Sequence, residues 1–143
     1  MPELSDEHRM IQESAREFTR NVVLPAANRL DPVKGDIPRE IIDQMAELGY
    51  FGILIPEEYG GLGLGAFEYC LVAEELARGW MSVASLIARG NALIGSLKSM
   101  TPEQKSHYLP LMAEGKFLGA FSLSEPDAGS DVANISCRAK RVG

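Results

Sequence analysis

The sequence predicts a mainly α protein: a helical domain over residues 1–115, then the first strands of an incomplete β domain over 116–143. Three observations carry that reading. Apolar residues recur at three- and four-residue steps through most of the first 115 positions, which gathers them on one helix face. Residues that start and stop helices punctuate those runs. After Gly115 the period changes to two, the spacing of a half-buried strand.

The first helix starts at Ser5, whose side chain can cap it, with Asp6 and Glu7 at the positive end of its dipole. Ile11, Ala15, Phe18 and Val22 form its apolar stripe. Pro25 lacks an amide hydrogen and is expected to kink or restart the helix. Asp31–Asp36, with Pro32 and Gly35, reads as loop. In the second helix Pro38 suits the first turn, Ile41, Ile42, Met45 and Leu48 form the buried face, and Gly49 takes the left-handed conformation that ends it. A short apolar run, Tyr50–Ile55, stops at Pro56, and the glycine-rich stretch Glu57–Gly65 is loop.

Helical periodicity returns over Ala66–Arg78, with Tyr69, Cys70, Ala73, Leu76 and Ala77 on the apolar face. Trp80–Leu97 is apolar nearly all round, which suits a helix covered by neighbours on several sides or at a subunit contact. Thr101-Pro102-Glu103-Gln104 combines a capping threonine, a first-turn proline and a glutamine placed to close a capping box. That helix is expected to break at Pro110 and stop at Gly115. Phe117–Leu123 then reads as a strand, Ser124–Asp131 as a polar turn, and Ile135, Cys137 and Ala139 as the inner face of a second strand.

Composition narrows the function. The 143 residues are 45 % hydrophobic and 24 % charged, which is that of a soluble globular protein. Fourteen basic and twenty acidic residues give a net charge of −6. That balance disfavours a nucleic-acid backbone as partner. Cys70 and Cys137 lack metal-ligand or disulfide spacing and read as reduced core or strand cysteines. No metal site is expected. No apolar run approaches the roughly 18 residues of a membrane helix. The first eight residues resemble neither a signal nor a transit peptide, so a cytoplasmic setting is expected.

Gly61-Leu62-Gly63-Leu64-Gly65-Ala66 formally matches a dinucleotide-binding fingerprint. It follows Pro56 and a polar stretch where a strand is needed, and Ser82–Ser85 stands where an acidic residue should. A tight loop is the better reading. His8 and His107 lie on separate polar helix surfaces and read as structural, and Arg138, Lys140 and Arg141 as a solvated face. The turn Leu123–Asp131 differs. It gathers two serines, a glycine and backbone amides directly after a strand, where they can meet an anion or a heteroaromatic edge.

At Ser124-Glu125-Pro126-Asp127-Ala128-Gly129-Ser130-Asp131 the sequence resembles the flavin-proximal signature of the acyl-CoA dehydrogenase family. Leu48–Gly52, Ile55–Gly61, Glu74–Arg78, Gln104-Lys105 and Tyr108–Pro110 resemble the same family in the same order. The resemblance implies its N-terminal helical bundle running into the middle β-barrel domain. It also implies FAD as cofactor and α,β-oxidation of acyl-CoA thioesters, with hydride passing to flavin N5.

By resemblance, Phe121 flanks the flavin, and the segment continues along it through Ser122. The amides of Leu123 and Ser124 face its pyrimidine edge, where Ser124 also donates its hydroxyl. Gly129 and Ser130 approach the pyrophosphate, and Ser130 is where the acyl-CoA chain passes. Ser122 and Asn134 depart from the usual pattern. No glutamate here matches the family's catalytic base, which is expected beyond residue 143, so this stretch alone is expected to be inactive. An electron-transfer flavoprotein as acceptor and a homo-oligomer, dimer or tetramer, are implied as well. Two other readings are a truncated, non-catalytic homologue acting as an assembly partner, and a flavin oxidase or monooxygenase of the same fold.

Overall fold

The computed structural model describes residues 3–93, 99–120 and 122–142. Six α-helices account for most of it: α1 (Asp6–Phe18), α2 (Leu24–Leu30), α3 (Arg39–Glu47), α4 (Ala66–Gly79), α5 (Met81–Leu93) and α6 (Pro102–Ala113). Helix α4 packs against both α1 and α5, and α6 packs on the segment that follows α3. The main core gathers Ala15, Phe18, Met45, Phe51, Val72, Leu76, Trp80 and Ile87.

Local chemistry sets the helix ends. The Ser5 hydroxyl accepts from the His8 amide at 3.1 Å. At α6 the box is reciprocal: the Gln104 amide donates to Thr101 Oγ1 at 3.3 Å and the Thr101 amide to Gln104 Oε1 at 2.9 Å. Gly49 ends α3 with φ 75°, a conformation that costs a side chain free energy. Pro38 stands one position before the first turn of α3, as its N-cap.

Pro25 falls in the first turn of α2, as a restart at this proline requires; a π-helical stretch, Thr19–Val23, carries α1 into α2, with the Leu24 amide reaching Thr19 O. Widening the turn just before a proline relieves the clash between its ring and the preceding turn. Several expectations are corrected. Helix α6 does not break at Pro110. Ser106 is exposed, so water can satisfy the carbonyl that the proline leaves unbonded. Cys70 and Cys137 are exposed rather than core residues. The buried face of α4 is Leu71, Val72, Glu75 and Leu76. Leu48 stays 39 % exposed. Helix α5 is described to Leu93, so residues 94–98 of the expected Trp80–Leu97 helix lie outside the described residues.

Tyr50–Ile55 opens with a short 3-10 turn, Tyr50–Gly52, and is buried apart from the half-buried Leu54. Asn91 in α5, itself 4 % exposed, holds it. Its Nδ2 donates to Tyr50 O at 3.3 Å and to Ile87 O at 2.9 Å, while its Oδ1 accepts from the Leu54 amide at 3.2 Å. One side chain thus replaces the ladder that a strand would supply. The following loop turns back so tightly that a Cβ on Gly61 would lie 2.1 Å from Ile55 O. The glycines of the false dinucleotide motif therefore serve packing.

Candidate functional site

The expected strands Phe117–Leu123 and Ile135–Ala139 are not paired. Among the described residues of this region the only bridge is Glu125 with Ala128. An isolated strand cannot satisfy its amides without a neighbour, and no other described strand flanks these segments. Phe117, Leu118 and Leu123 are 44, 41 and 54 % exposed.

Between them the polar turn is well defined. The Ala128 amide donates to Glu125 O at 3.2 Å and the Glu125 amide to Ala128 O at 2.8 Å. Those bonds close a four-residue turn with Pro126 at its second position, where the fixed φ of proline favours turning. Ala128 is buried to 4 % exposure, whereas Ser122, Leu123, Ser124, Gly129 and Ser130 are exposed. A second turn follows, with the Asn134 amide on Asp131 O at 3.2 Å and its Nδ2 on Asp131 Oδ2 at 3.3 Å.

Of the residues expected to contact a cofactor, Ser122, Leu123, Ser124, Gly129 and Ser130 all lie on this one exposed stretch. Phe121 lies outside the described residues. Among the described residues, the amides of Leu123 and Ser124 and the Ser124 hydroxyl bond to no other group. The donors are N–H and O–H groups, which suits an electron-rich heteroaromatic edge or a phosphate.

Glu125 is the residue that sequence reading left without a role. Its Oε2 accepts from the Ser136 amide at 2.9 Å and the Ser136 hydroxyl at 2.8 Å, and its Oε1 from the Cys137 amide at 2.8 Å. The Ser136 amide, then its hydroxyl, then the Cys137 amide hold the Glu125 carboxyl below the usual carboxylate range. Nothing in the local pattern signals this contact, because donor and acceptor lie 11 and 12 positions apart.

Elsewhere the charged clusters are structural. His8 Nε2 lies 2.8 Å from Glu68 Oε1, and Glu68 Oε2 accepts from the Gly65 amide at 2.9 Å, which ties the start of α1 to the start of α4. His107 is exposed and packs edge-on against Tyr108. Glu75, 2 % exposed, is paired by Arg16 at 2.9 Å. Arg138, Lys140 and Arg141 are exposed. Among the described residues no His, Cys, Asp or Glu cluster could hold a metal ion, and no helix is long and apolar enough to cross a membrane.

The helical array is followed by an exposed turn with N–H and O–H donors. The family model for the acyl-CoA dehydrogenase N-terminal domain matches residues 5–116, and the chain belongs to the acyl-CoA dehydrogenase family. It is 39 % identical over 143 residues to a mitochondrial 2-methylacyl-CoA dehydrogenase of Solanum tuberosum, covering 97 % of this chain and 34 % of that protein. A glutaryl-coenzyme A dehydrogenase solved with glutaryl-CoA superposes at TM-score 0.83, with 35 % identity over 94 % of this chain and 35 % of the other. An acyl-CoA dehydrogenase of Bacillus anthracis solved with FAD gives TM-score 0.78 and 37 % identity, over 93 % of this chain and 23 % of the other. The chain therefore spans about a third of the length of the curated relative it matches.

Proposed function

We propose that this chain forms the N-terminal helical domain, residues 1–115, and the flavin-facing start of the middle β domain, residues 116–143, of an FAD-dependent acyl-CoA dehydrogenase. The carrying observation is that the Leu123 and Ser124 donors are exposed and, among the described residues, bond to no other group, beside a closed turn in a chain of this family. The change in burial after Gly115 supports the domain boundary.

The residues fit the cofactor. A Cβ built on Gly129 meets no atom within 4 Å, so the space beside it is open to an outside group such as the pyrophosphate of FAD. When bound, FAD supplies an acceptor for the hydride that leaves the β carbon of an acyl-CoA thioester. The amides of Leu123 and Ser124 and the Ser124 hydroxyl donate to the pyrimidine edge, where negative charge develops on reduction. By the family resemblance Phe121 and Ser122 would continue this contact, and Ser130 would approach the pyrophosphate where the acyl-CoA chain passes. The residue that removes the α proton lies beyond residue 143, so residues 1–143 alone are inactive. The wider reading includes a role in fatty acid metabolism, an electron-transfer flavoprotein as acceptor and a homotetramer or dimer as the assembled state. A cytoplasmic location is the part the relatives press hardest, because the potato protein is named mitochondrial.

The test is anaerobic reduction of the FAD-loaded complete protein by a panel of acyl-CoA thioesters, with Ser124→Ala beside the wild type. Reduction by at least one thioester is expected, with a loss of about 10- to 100-fold in reduction rate for the variant, the scale of one donor aimed at developing charge. No reduction by any thioester would remove the dehydrogenase reading. Unchanged affinity and rate in the variant would remove the role of Ser124.

A further inference from the structure

The flavin-facing turn is held by a carboxylate where a β ladder would otherwise hold it. Both oxygens of Glu125 are engaged, with bonds of 2.8 to 2.9 Å to the Ser136 amide, the Ser136 hydroxyl and the Cys137 amide. The backbone of the same residue closes the turn onto Ala128 at 2.8 and 3.2 Å. Glu125 therefore joins two segments: Ser122–Ser124, immediately before it, and Ser136-Cys137, eleven and twelve positions on. Among the described residues its bonds use neither the Leu123 nor the Ser124 amide.

We propose that Glu125 is a positioning residue for the flavin: its carboxylate latches the turn onto Ser136-Cys137 and so fixes the direction of the Leu123 and Ser124 donors. The inference rests on the flavin reading above. A donor stabilises developing charge only when its direction is set before the charge appears, since a turn that must reorient gives back part of the gain. Hydrogen bonds to an ionised acceptor are short and directional, and three on one carboxylate fix both the separation and the rotation of the two segments. Glutamine keeps the shape but carries one acceptor oxygen, and its amide group opposes a donor where the second oxygen stood.

The experiment compares the complete FAD-loaded protein with Glu125→Gln and, as a milder variant, Ser136→Ala. It measures FAD affinity, the flavin midpoint potential and amide hydrogen exchange at Ser136 and Cys137. For Glu125→Gln the expected results are an FAD affinity lowered about tenfold, the scale of losing one charge-assisted bond, a more negative midpoint potential, and faster exchange at both amides. Ser136→Ala removes one of the three bonds and is expected to move every readout the same way by less. A fall in melting temperature with affinity and potential unchanged would overturn the positioning role, leaving Glu125 merely structural. A wild-type protein that binds no FAD would overturn the flavin reading itself, and this inference with it.

Discussion

Two segments outside the α-helices are each held by one polar side chain. Asn91 holds Tyr50–Ile55, and Glu125 holds the turn against Ser136 and Cys137. Two of the Asn91 bonds reach the segment and the third goes to Ile87 O in its own helix, whereas all three on Glu125 come from Ser136 and Cys137; the settings are opposite. Phe51, Ile53 and Ile55 are at most 2 % exposed, so water cannot replace a bond lost there. Around Glu125 nearly every neighbour is exposed, and water can. The first segment is therefore fixed by the cost of unmaking its bonds, and the second only by the bonds themselves. A site that must admit a large ligand belongs with the second kind.

The strongest way to break this comparison is Asn91→Ala. It leaves the Tyr50 carbonyl without its partner in the interior and the Leu54 amide without its partner at a half-buried position. Each buried unpaired group costs about 1–3 kcal/mol, so a loss of about 2–4 kcal/mol is expected in denaturant unfolding of the protein. A loss below about 1 kcal/mol would mean that water reaches this segment and that the contrast with the turn is one of degree.

Thr101→Ala supplies the intermediate case, because the bonds it removes lie on an exposed helix end. Losing a threonine cap costs about 1 kcal/mol, and the remaining Gln104 side chain and α6 amides can turn to water. The same unfolding measurement checks it. A loss equal to that of Asn91→Ala would show that burial does not set the cost.

The same distinction explains what was legible in the sequence. Ser5, Gly49 and the Thr101 box act within four residues, so their positions alone announce helix ends, and all three do so in the structure. Asn91 and Glu75 act across 37 and 59 residues. A buried asparagine and a buried glutamate look, in sequence, like ordinary surface residues of their helices. For the same reason the face of α4 is legible only in part: Tyr69, Ala73, Leu76 and Ala77 lie in or against the core, whereas Cys70 is exposed and Glu75 is buried by its pairing with Arg16 on α1. The two strands illustrate a different limit. Period two describes which side chains share a face, whereas a strand exists only where another pairs with it. The turn after Leu123 is legible through its proline, glycine and serines; the Glu125 contact is not, since nothing local to it requires Ser136.

The smallest expected effect is the most local, an acid titration of the latch. The ionised Glu125 carboxylate accepts all three bonds, so its pKa when folded lies below that of an unfolded chain, about 4.3 for a glutamate. The lowering comes first from the Ser136 amide, then from its hydroxyl and the Cys137 amide. A depressed folded value means that the latch contributes fully above the unfolded value and is lost as pH falls through the folded one. Protonation turns one acceptor oxygen into a donor facing other donors, and the two segments part. The amide resonances of Ser136 and Cys137 should therefore move together, with a midpoint below the ordinary glutamate range, while the α5 core around Asn91 stays unchanged. A midpoint at or above 4.3 would mean that the carboxylate gains nothing from these donors. Movement of the Asn91 core over the same range would mean that the exposed turn and the buried segment unfold as one unit, and the contrast between them would dissolve.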